Sequence, residues 1–149
     1  MQSPSDIEVR VHESFSRQAA MATLGARLGR VAPGEVDVLM EHGAHLTQQH
    51  GFVHAGVVAT ALDSACGYAA LTLMPADAAV LTIEFKINLL APARGPRFRF
   101  EGRVTKAGRT ISVAEGRALQ FGADGSDEVL VATMTGTMMT VIGREGLRA

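Results

Sequence analysis

The sequence predicts an α+β domain in which a curled antiparallel sheet of about five or six strands surrounds one long central helix. Residues 54–74 form a long apolar segment, and residues 79–141 hold alternating runs that are typical of strands joined by short turns. Consecutive strands with short turns favour an antiparallel meander, and a sheet that covers a single helix curls around it. We therefore expect one domain, residues 1–149, without an internal linker.

An N-terminal helix is predicted within residues 1–30, because apolar side chains recur there at the spacings of one helix face. A Pro-Gly pair at residues 33–34 ends this segment. Residues 35–41 then alternate between apolar and polar side chains, which predicts a strand with one buried face. Residues 42–53 show no period and are expected to form an ordered loop.

The segment 54–74 is predicted to be the central helix. It ends at Pro75 and is long enough for about six turns. Because it is apolar nearly all round, we expect it to be buried on most sides. Asp63 lies in the middle of the segment, and an ionisable side chain at that depth is costly in lipid, so the segment is not interpreted as a membrane helix.

The remaining strands are predicted from period-two alternation between turn-forming segments. They comprise residues 82–89, 97–104, 110–121 and 128–141. These strands supply the sheet that the central helix needs as a cover.

Composition excludes several classes of function. The formal net charge is -1, so no global basic field is present to attract nucleic acid. The polar N-terminus has no signal-peptide pattern, and the single cysteine, Cys66, cannot form an internal disulfide, so we expect a cytoplasmic protein without a membrane partner. Four histidines lie between residues 42 and 54, but neither a Cys partner nor a His-Glu-x-x-His pattern accompanies them, and no metal is expected.

Asp63 is the first candidate for a catalytic residue. It is the only charged residue within the predicted central helix. A buried carboxylate is costly unless it is paired or used, and unusual carboxylates concentrate in functional sites. The alternative is a structural carboxylate that hydrogen-bonds to a neighbouring loop.

The start of the central helix is a second candidate, because His54, Ala55 and Gly56 place small residues at a helix N-terminus. The first backbone N–H groups of a helix have no internal partner and lie at the positive end of its dipole, which suits an oxyanion site. The side-chain amide of Gln48 could donate to the same ligand carbonyl, and Thr82 could orient a water molecule. The alternatives are a tight loop-to-helix junction, a polar loop residue and a surface threonine.

Helix geometry separates these candidates. Ala55 and Asp63 are eight positions apart, which corresponds to roughly 12 Å along one helix. One scissile carbonyl cannot contact both residues of the same chain. If both are catalytic they come from different copies, so the sequence predicts a symmetric homodimer with shared sites.

Three segments together resemble the PaaI-like branch of the hot-dog thioesterases, the phenylacetyl-CoA thioesterase-like proteins. They are residues 48–57 followed by Asp63, residues 82–93, and residues 106–110. The resemblance covers the chain from about residue 48 to residue 110. It implies the hot-dog fold and hydrolysis of an acyl-CoA, with CoA as part of the substrate and no separate cofactor. Because hot-dog dimers pair further in several ways, it also implies either a homodimer or a dimer of dimers, a homotetramer.

The resemblance also implies roles for individual residues. Asp63 would be the general base or nucleophile, and Thr82 would orient the attacking water beside it. The N–H of Ala55 or of Gly56 would polarise the thioester carbonyl, assisted by Gln48 and with His54 shaping the helix start. The family often has His-Gly-Gly where this chain has His54-Ala55-Gly56, and Ala keeps the backbone donor while adding one methyl group.

A basic stretch completes the implied site. Six basic side chains lie between residues 94 and 109, and by themselves they fit either a solvated strand face or a local anion site. The resemblance assigns Lys106, Arg109 and Thr110 to a turn that contacts the nucleotide end of CoA, whose phosphates suit basic partners.

Two other functions stay open at this point. One is dehydration of a hydroxyacyl thioester by His54 and Asp63 of opposite copies, and the other is non-catalytic binding of acyl-CoA. The acyl group itself is not predicted. The side chains that could shape its channel are Val57, Leu62, Cys66 and Tyr68.

Overall fold

The computed structural model describes residues 2–149. It contains three α-helices, a short 3-10 turn at Ala44–Leu46 and six strands within those residues. The helices are α1 (Pro4–Ser16), α2 (Ala19–Leu24) and α3 (Ala55–Leu71). The strands are β1 (Arg27–Ala32), β2 (Glu35–Glu41), β3 (Ala79–Leu89), β4 (Arg97–Lys106), β5 (Ile111–Phe121) and β6 (Val129–Val141). The number of strands, the long central helix and the added N-terminal helix agree with the predicted fold class.

The helix predicted across residues 1–30 is two helices in the structure, α1 and α2, and the prediction is wrong after Leu24. A capping box between Ser3 and Asp6 starts α1, and α2 ends where Gly25 adopts a left-handed conformation with φ of 66°. The following residues form β1, which pairs antiparallel with β2 at one edge of the sheet. β1 and β2 form a hairpin across residues 33–34, and this pairing outweighs the helical periodicity of the segment.

The sheet has the order β1-β2-β4-β5-β6-β3, and every neighbouring pair is antiparallel. The predicted meander across residues 79–141 is therefore wrong for β3, which pairs with β6 at the far edge instead of with β4. Residues 90–96 connect β3 to β4 past β6 and β5, a distance of three strand spacings or about 14 Å. Seven extended residues reach about 23 Å, so the connection is long enough. The composition of this loop is that of a turn. The local pattern therefore does not distinguish a hairpin between neighbouring strands from a crossover to a distant strand.

Helix α3 packs on the inner face of the sheet over a pair of glycines. Gly102 of β4 and Gly116 of β5 are directly paired across the two strands. A Cβ atom at Gly102 would collide with the carbonyl group of Ala65, and one at Gly116 would lie 3.0 Å from Cys66 Sγ. The missing side chains let the helix backbone lie close to the sheet, which fixes the height of α3 and of every residue it carries.

We expect Gly102→Ala to destabilise the protein by about 1–3 kcal/mol or more, because the new methyl group meets helix backbone that has no rotamer to escape into. Unfolding in denaturant, followed by circular dichroism, measures this change. Gly67→Ala is the matched control, since a Cβ at Gly67 of α3 meets nothing within 4 Å. An unchanged midpoint for Gly102→Ala would show that the helix does not sit this close to β4.

No helix within residues 2–149 is long and apolar enough to cross a membrane.

Candidate active site

Asp63 and Thr82 meet where α3 passes the start of β3. The Thr82 hydroxyl donates to Asp63 Oδ1 at 2.7 Å. Asp63 is half-buried in the single chain instead of enclosed, because its carboxylate faces an open concavity. The hydrogen bond holds one carboxylate oxygen, and Oδ2 accepts no hydrogen bond within residues 2–149.

The concavity beside this pair, the Asp63 cavity, has a volume of about 400 Å³. Its walls include Gln18, Asp63, Ser64, Gly67, Tyr68 and Thr82. The cavity therefore extends from the carboxylate along α3 toward the N-terminal helices.

The start of α3 is organised by His54, which is its N-cap residue. His54 Nδ1 accepts the N–H of Gly56 at 2.8 Å, so that donor is already used. The N–H of Ala55 donates to no group within residues 2–149. The sequence suggested two backbone donors for an oxyanion. In the structure the Ala55 N–H is free to donate, whereas the Gly56 N–H is already bonded to His54.

Gln48 lies beside the same helix start. Its Oε1 accepts the N–H of His50 at 2.6 Å and that of Phe52 at 3.3 Å. With the oxygen end held by two backbone donors, the NH₂ end is the part of the side chain that can donate to a ligand.

Gln48 and Ala55 line a second concavity, the Ala55 cavity, which also has a volume of about 400 Å³. Leu89, Leu90 and Val131 give it an apolar wall. Ala55 and Asp63 of one chain thus open into different cavities, as their separation along the helix requires. A single copy of this chain does not bring the two candidate groups together.

Lys106 is the last residue of β4, and Arg109 and Thr110 lie in the turn that follows it; all three are exposed. The structure does not bring their side chains into either cavity. The turn is at the same end of the sheet as Asp63, because Ile111, the first residue of β5, shares a row with Met139 and Leu81, and Leu81 adjoins Thr82. Ile111 and Leu81, at the two ends of this row, are two strand spacings or about 10 Å apart.

The histidines of the 42–54 loop do not converge. His42 Nε2 hydrogen-bonds with the carbonyl of Gly51 at 2.9 Å, and His54 caps α3. In the part of the chain that the structure describes, no group of three or more His, Cys, Asp or Glu side chains could hold a metal ion.

Of the side chains suggested for an acyl channel, the structure places only Tyr68 in the Asp63 cavity. Leu62 and Cys66 are fully buried and face Gly116 of the sheet. Burial, followed by the negative charge of Asp63, raises the pKa of the Cys66 thiol to about 12, and the Arg103 charge opposes this only partly. Cys66 is therefore a protonated, inert part of the core.

We expect native protein to resist alkylation of Cys66 by iodoacetamide through neutral and mildly alkaline pH, because the thiolate form is scarce well below pH 12 and the sulfur is enclosed. Mass spectrometry of labelled protein checks this, with full labelling in denaturant as the control. Rapid native labelling would place Cys66 at an accessible surface.

Sequence reasoning missed most residues that line the Asp63 cavity, among them Gln18, Ser64 and Gly67. The signal available was weak, since it consists of a glycine inside a helix and of polar side chains at helical spacing within apolar segments. Only the packing of the α1–α2 junction on α3 brings them together.

Comparison with known proteins identifies the family. The model of the thioesterase superfamily matches residues 50–122. A solved thioesterase family protein from Silicibacter pomeroyi is 55% identical, with a TM-score of 0.89 over 92% of this chain and 99% of that one. The Escherichia coli PaaI protein of the phenylacetic acid degradation operon is 18% identical, with a TM-score of 0.83 over 94% of this chain and 96% of its own, which shows the shared hot-dog fold.

Two archaeal relatives, whose names assign them provisionally to the esterases, are more distant. The one from Saccharolobus solfataricus is 34% identical over 62% of this chain, and the one from Halobacterium salinarum is 32% identical over 64%. The matches span 65% and 66% of the relatives' own lengths, just under two thirds.

Proposed function

The chain belongs to the thioesterase superfamily, and we propose that it hydrolyses acyl-CoA thioesters to a free acid and CoA at a site shared between two copies. The observation that carries this proposal is the Asp63 carboxylate, held by Thr82 at the mouth of a cavity. The unpaired Ala55 N–H lies on the same helix, too far away to serve the same carbonyl. CoA is part of the substrate, and the chemistry requires no further cofactor.

Asp63 acts on the thioester from one side. As a general base it takes a proton from water while the water oxygen bonds to the acyl carbon; as a nucleophile its own oxygen forms that bond and water later cleaves the anhydride. In both routes the C–S bond breaks and the CoA sulfur leaves as a thiol. In the first route it takes the proton that Asp63 removed from water, and in the second it takes a proton from solvent water. Thr82 is a positioning residue that fixes the carboxylate for either route.

The other copy stabilises the charge that develops on the thioester oxygen. The Ala55 N–H donates to this oxygen from the positive end of α3, and the NH₂ group of Gln48 adds a second donor. His54 supports both by holding the Gly56 N–H and thereby the first turn of α3. A pair of donors aimed at the developing oxyanion stabilises the transition state more than the ground state.

Strand β3 supports a way to join the two copies. It is an edge strand, and Thr82 lies near one end of it while Leu89, in the wall of the Ala55 cavity, lies at the other. A twofold axis between Phe85 and Lys86, with β3 of each copy antiparallel, sets Thr82 of one copy opposite Leu89 of the other. That arrangement brings the Asp63 cavity of one copy to the Ala55 cavity of its partner.

Exposed apolar side chains along β3 favour this interface. Ile83, Phe85 and Leu89 are 54%, 44% and 53% exposed in the single chain. A long apolar edge strand left in water invites uncontrolled pairing, so a closed twofold contact is a protective arrangement for it. The dimer is the smallest assembly that completes the site, and a homotetramer of two such dimers keeps it complete.

The basic turn is the proposed contact for the nucleotide end of CoA. Lys106 and Arg109 are exposed cations at the Asp63 end of the sheet, and Thr110 adds a hydroxyl donor. The CoA chain thus leaves the shared site toward a surface whose charge complements its phosphates.

The test is release of free CoA thiol from short, medium, long and aryl acyl-CoAs, with 3-hydroxyacyl-CoA included. Hydrolysis predicts thiol release, whereas dehydration predicts a conjugated enoyl thioester that is detected by its ultraviolet absorbance without thiol release. Tight binding of acyl-CoA in calorimetry without turnover of any substrate would leave only the binding function. Light scattering completes the test, since an active strict monomer contradicts the shared site.

A further inference from the structure

Gly67 forms an open floor in the Asp63 cavity. It lies one helical turn after Asp63 on α3, and a Cβ atom built at this position meets nothing within 4 Å. The space above it is therefore continuous with the cavity that begins at the carboxylate. An acyl group whose thioester carbon lies at Asp63 can extend over Gly67 toward Tyr68.

The far end of that path is polar. Gln18 Nε2 donates to the Tyr68 hydroxyl at 3.1 Å, and Ser64 donates to Gln18 Oε1 at 2.8 Å. The Tyr68 hydroxyl also shares a hydrogen bond with Ser14 at 3.1 Å. Tyr68 is held in place by its ring, which packs at a tilt on Phe15 with centroids 5.9 Å apart.

The side chains of Ser14, Gln18, Ser64 and Tyr68 have more hydrogen-bond donors than the cluster itself uses. Three of its hydrogens are engaged, one from Ser64, one from Gln18 and one shared by the Ser14–Tyr68 pair. The second N–H of Gln18 and one O–H of the Ser14–Tyr68 pair stay available. These donors face the open Asp63 cavity, where an acceptor oxygen on a bound acyl group can take the place of the water that otherwise satisfies them.

We propose that the Asp63 cavity selects acyl groups that carry a neutral oxygen, a hydroxyl or keto group, about six bonds from the thioester carbon. Asp63 and Tyr68 are five positions apart, about 7.5 Å along α3. An extended chain advances roughly 1.2 Å per bond, so six bonds cover this length. Gly67 sets the room for the chain, and Tyr68 with Gln18 recognises its oxygen; this inference rests on the proposed thioester hydrolysis.

The first test compares 6-hydroxyhexanoyl-CoA with heptanoyl-CoA, which has a methyl group where the former has its hydroxyl. We expect wild-type protein to favour the hydroxylated substrate about tenfold in kcat/KM, as one well-placed hydrogen bond allows. Tyr68→Phe keeps the ring on Phe15 and is expected to bring the ratio close to one, while heptanoyl-CoA turnover persists. A wild-type ratio near one, or a ratio that survives in Tyr68→Phe and in Gln18→Leu, overturns the proposal.

The second test closes the path. Gly67→Val fills the space above the helix and is expected to lower kcat/KM for both seven-atom chains at least tenfold, with propanoyl-CoA turnover retained. Gly67→Ala gives a smaller change in the same direction. Equal losses for propanoyl and heptanoyl substrates would show that Gly67 does not line the acyl path.

A third arm separates this inference from the hydrolysis itself. Calorimetric binding of the same two acyl-CoAs to Asp63→Asn protein, with and without Tyr68→Phe, reports selection without turnover. Preferential binding of the hydroxylated ligand that Tyr68→Phe abolishes supports the selectivity even if wild-type protein hydrolyses neither compound. Adipoyl-CoA is the charged comparison, and tighter binding of its carboxylate, through Arg148 on the cavity wall, would overturn the choice of a neutral oxygen.

Discussion

Asp63→Asn is expected to lower kcat for acyl-CoA hydrolysis by 10²- to 10⁴-fold, on the order of what a positioned general base contributes. The amide keeps the shape of the side chain and an oxygen that still accepts the Thr82 hydroxyl at its present 2.7 Å separation. It lacks the negative charge that accepts a proton or attacks the thioester. The loss should therefore appear in kcat with little change in KM.

The measurement is thiol release under saturating substrate, beside light scattering and thermal unfolding of the same samples. Asp77→Asn is the matched control, since Asp77 is an exposed carboxylate in the loop after α3 and lines neither cavity. Its activity should equal that of wild type. Undiminished turnover by a folded Asp63→Asn protein would assign Asp63 a structural role and remove the basis of the proposed mechanism.

Ala55→Pro is expected to lower kcat by 10²- to 10³-fold, as loss of one oxyanion donor does. Ala55 is the first residue of α3, the helix position where Pro is best tolerated, because it needs no backbone N–H for the helix. His54, with φ of -58° and ψ of 139°, already has the extended backbone that a residue before Pro requires. The substitution thus removes the proposed donor and little else.

Mixing the two inactive variants tests the shared site. If the site takes Asp63 from one copy and Ala55 from the other, a heterodimer of Asp63→Asn and Ala55→Pro chains contains one intact site and one doubly altered site. Co-refolded variants should therefore recover about a quarter of wild-type activity, since random pairing makes half of the dimers mixed. Mixtures that stay as inactive as either variant alone contradict the exchange of residues between copies.

The periodicity of the chain predicts the elements whose burial pattern is local. Helix α3 and strands β2, β4, β5 and β6 are placed within a few residues, because one face of each lies on the core and carries the period of its structure. The same reasoning is wrong at β1, whose side chains lie at an edge and alternate poorly. Hydrophobic period reports burial, so it weakens where an element is half-exposed.

The candidate site likewise has features that the sequence predicts and features that depend on tertiary packing. The sequence motifs around the central helix and the start of β3 single out Asp63 and Thr82, and a hydrogen bond joins these two residues in the structure. The choice between the N–H groups of Ala55 and Gly56 depends on the rotamer of His54, which no residue pattern encodes. The open space above Gly67 depends on how α1 and α2 rest on α3, and is equally invisible to a motif.

The sequence by itself determined the fold class and the central helix with its single carboxylate, because the period and length of the apolar segments set the secondary structure. Helix rise further predicts that Ala55 and Asp63 need a second copy if both are catalytic, and this stays a prediction. Tertiary structure alone decided that residues 27–32 form a strand, that β3 lies at the sheet edge beside β6, and which donors and cavities are free. The physical reason is that the place of β3 and the cavities arise from contacts between segments far apart in the chain, whereas β1 depends on edge pairing with the neighbouring β2 that its own residue period does not show. Local propensity is worth a few tenths of a kcal/mol per residue and yields to such packing.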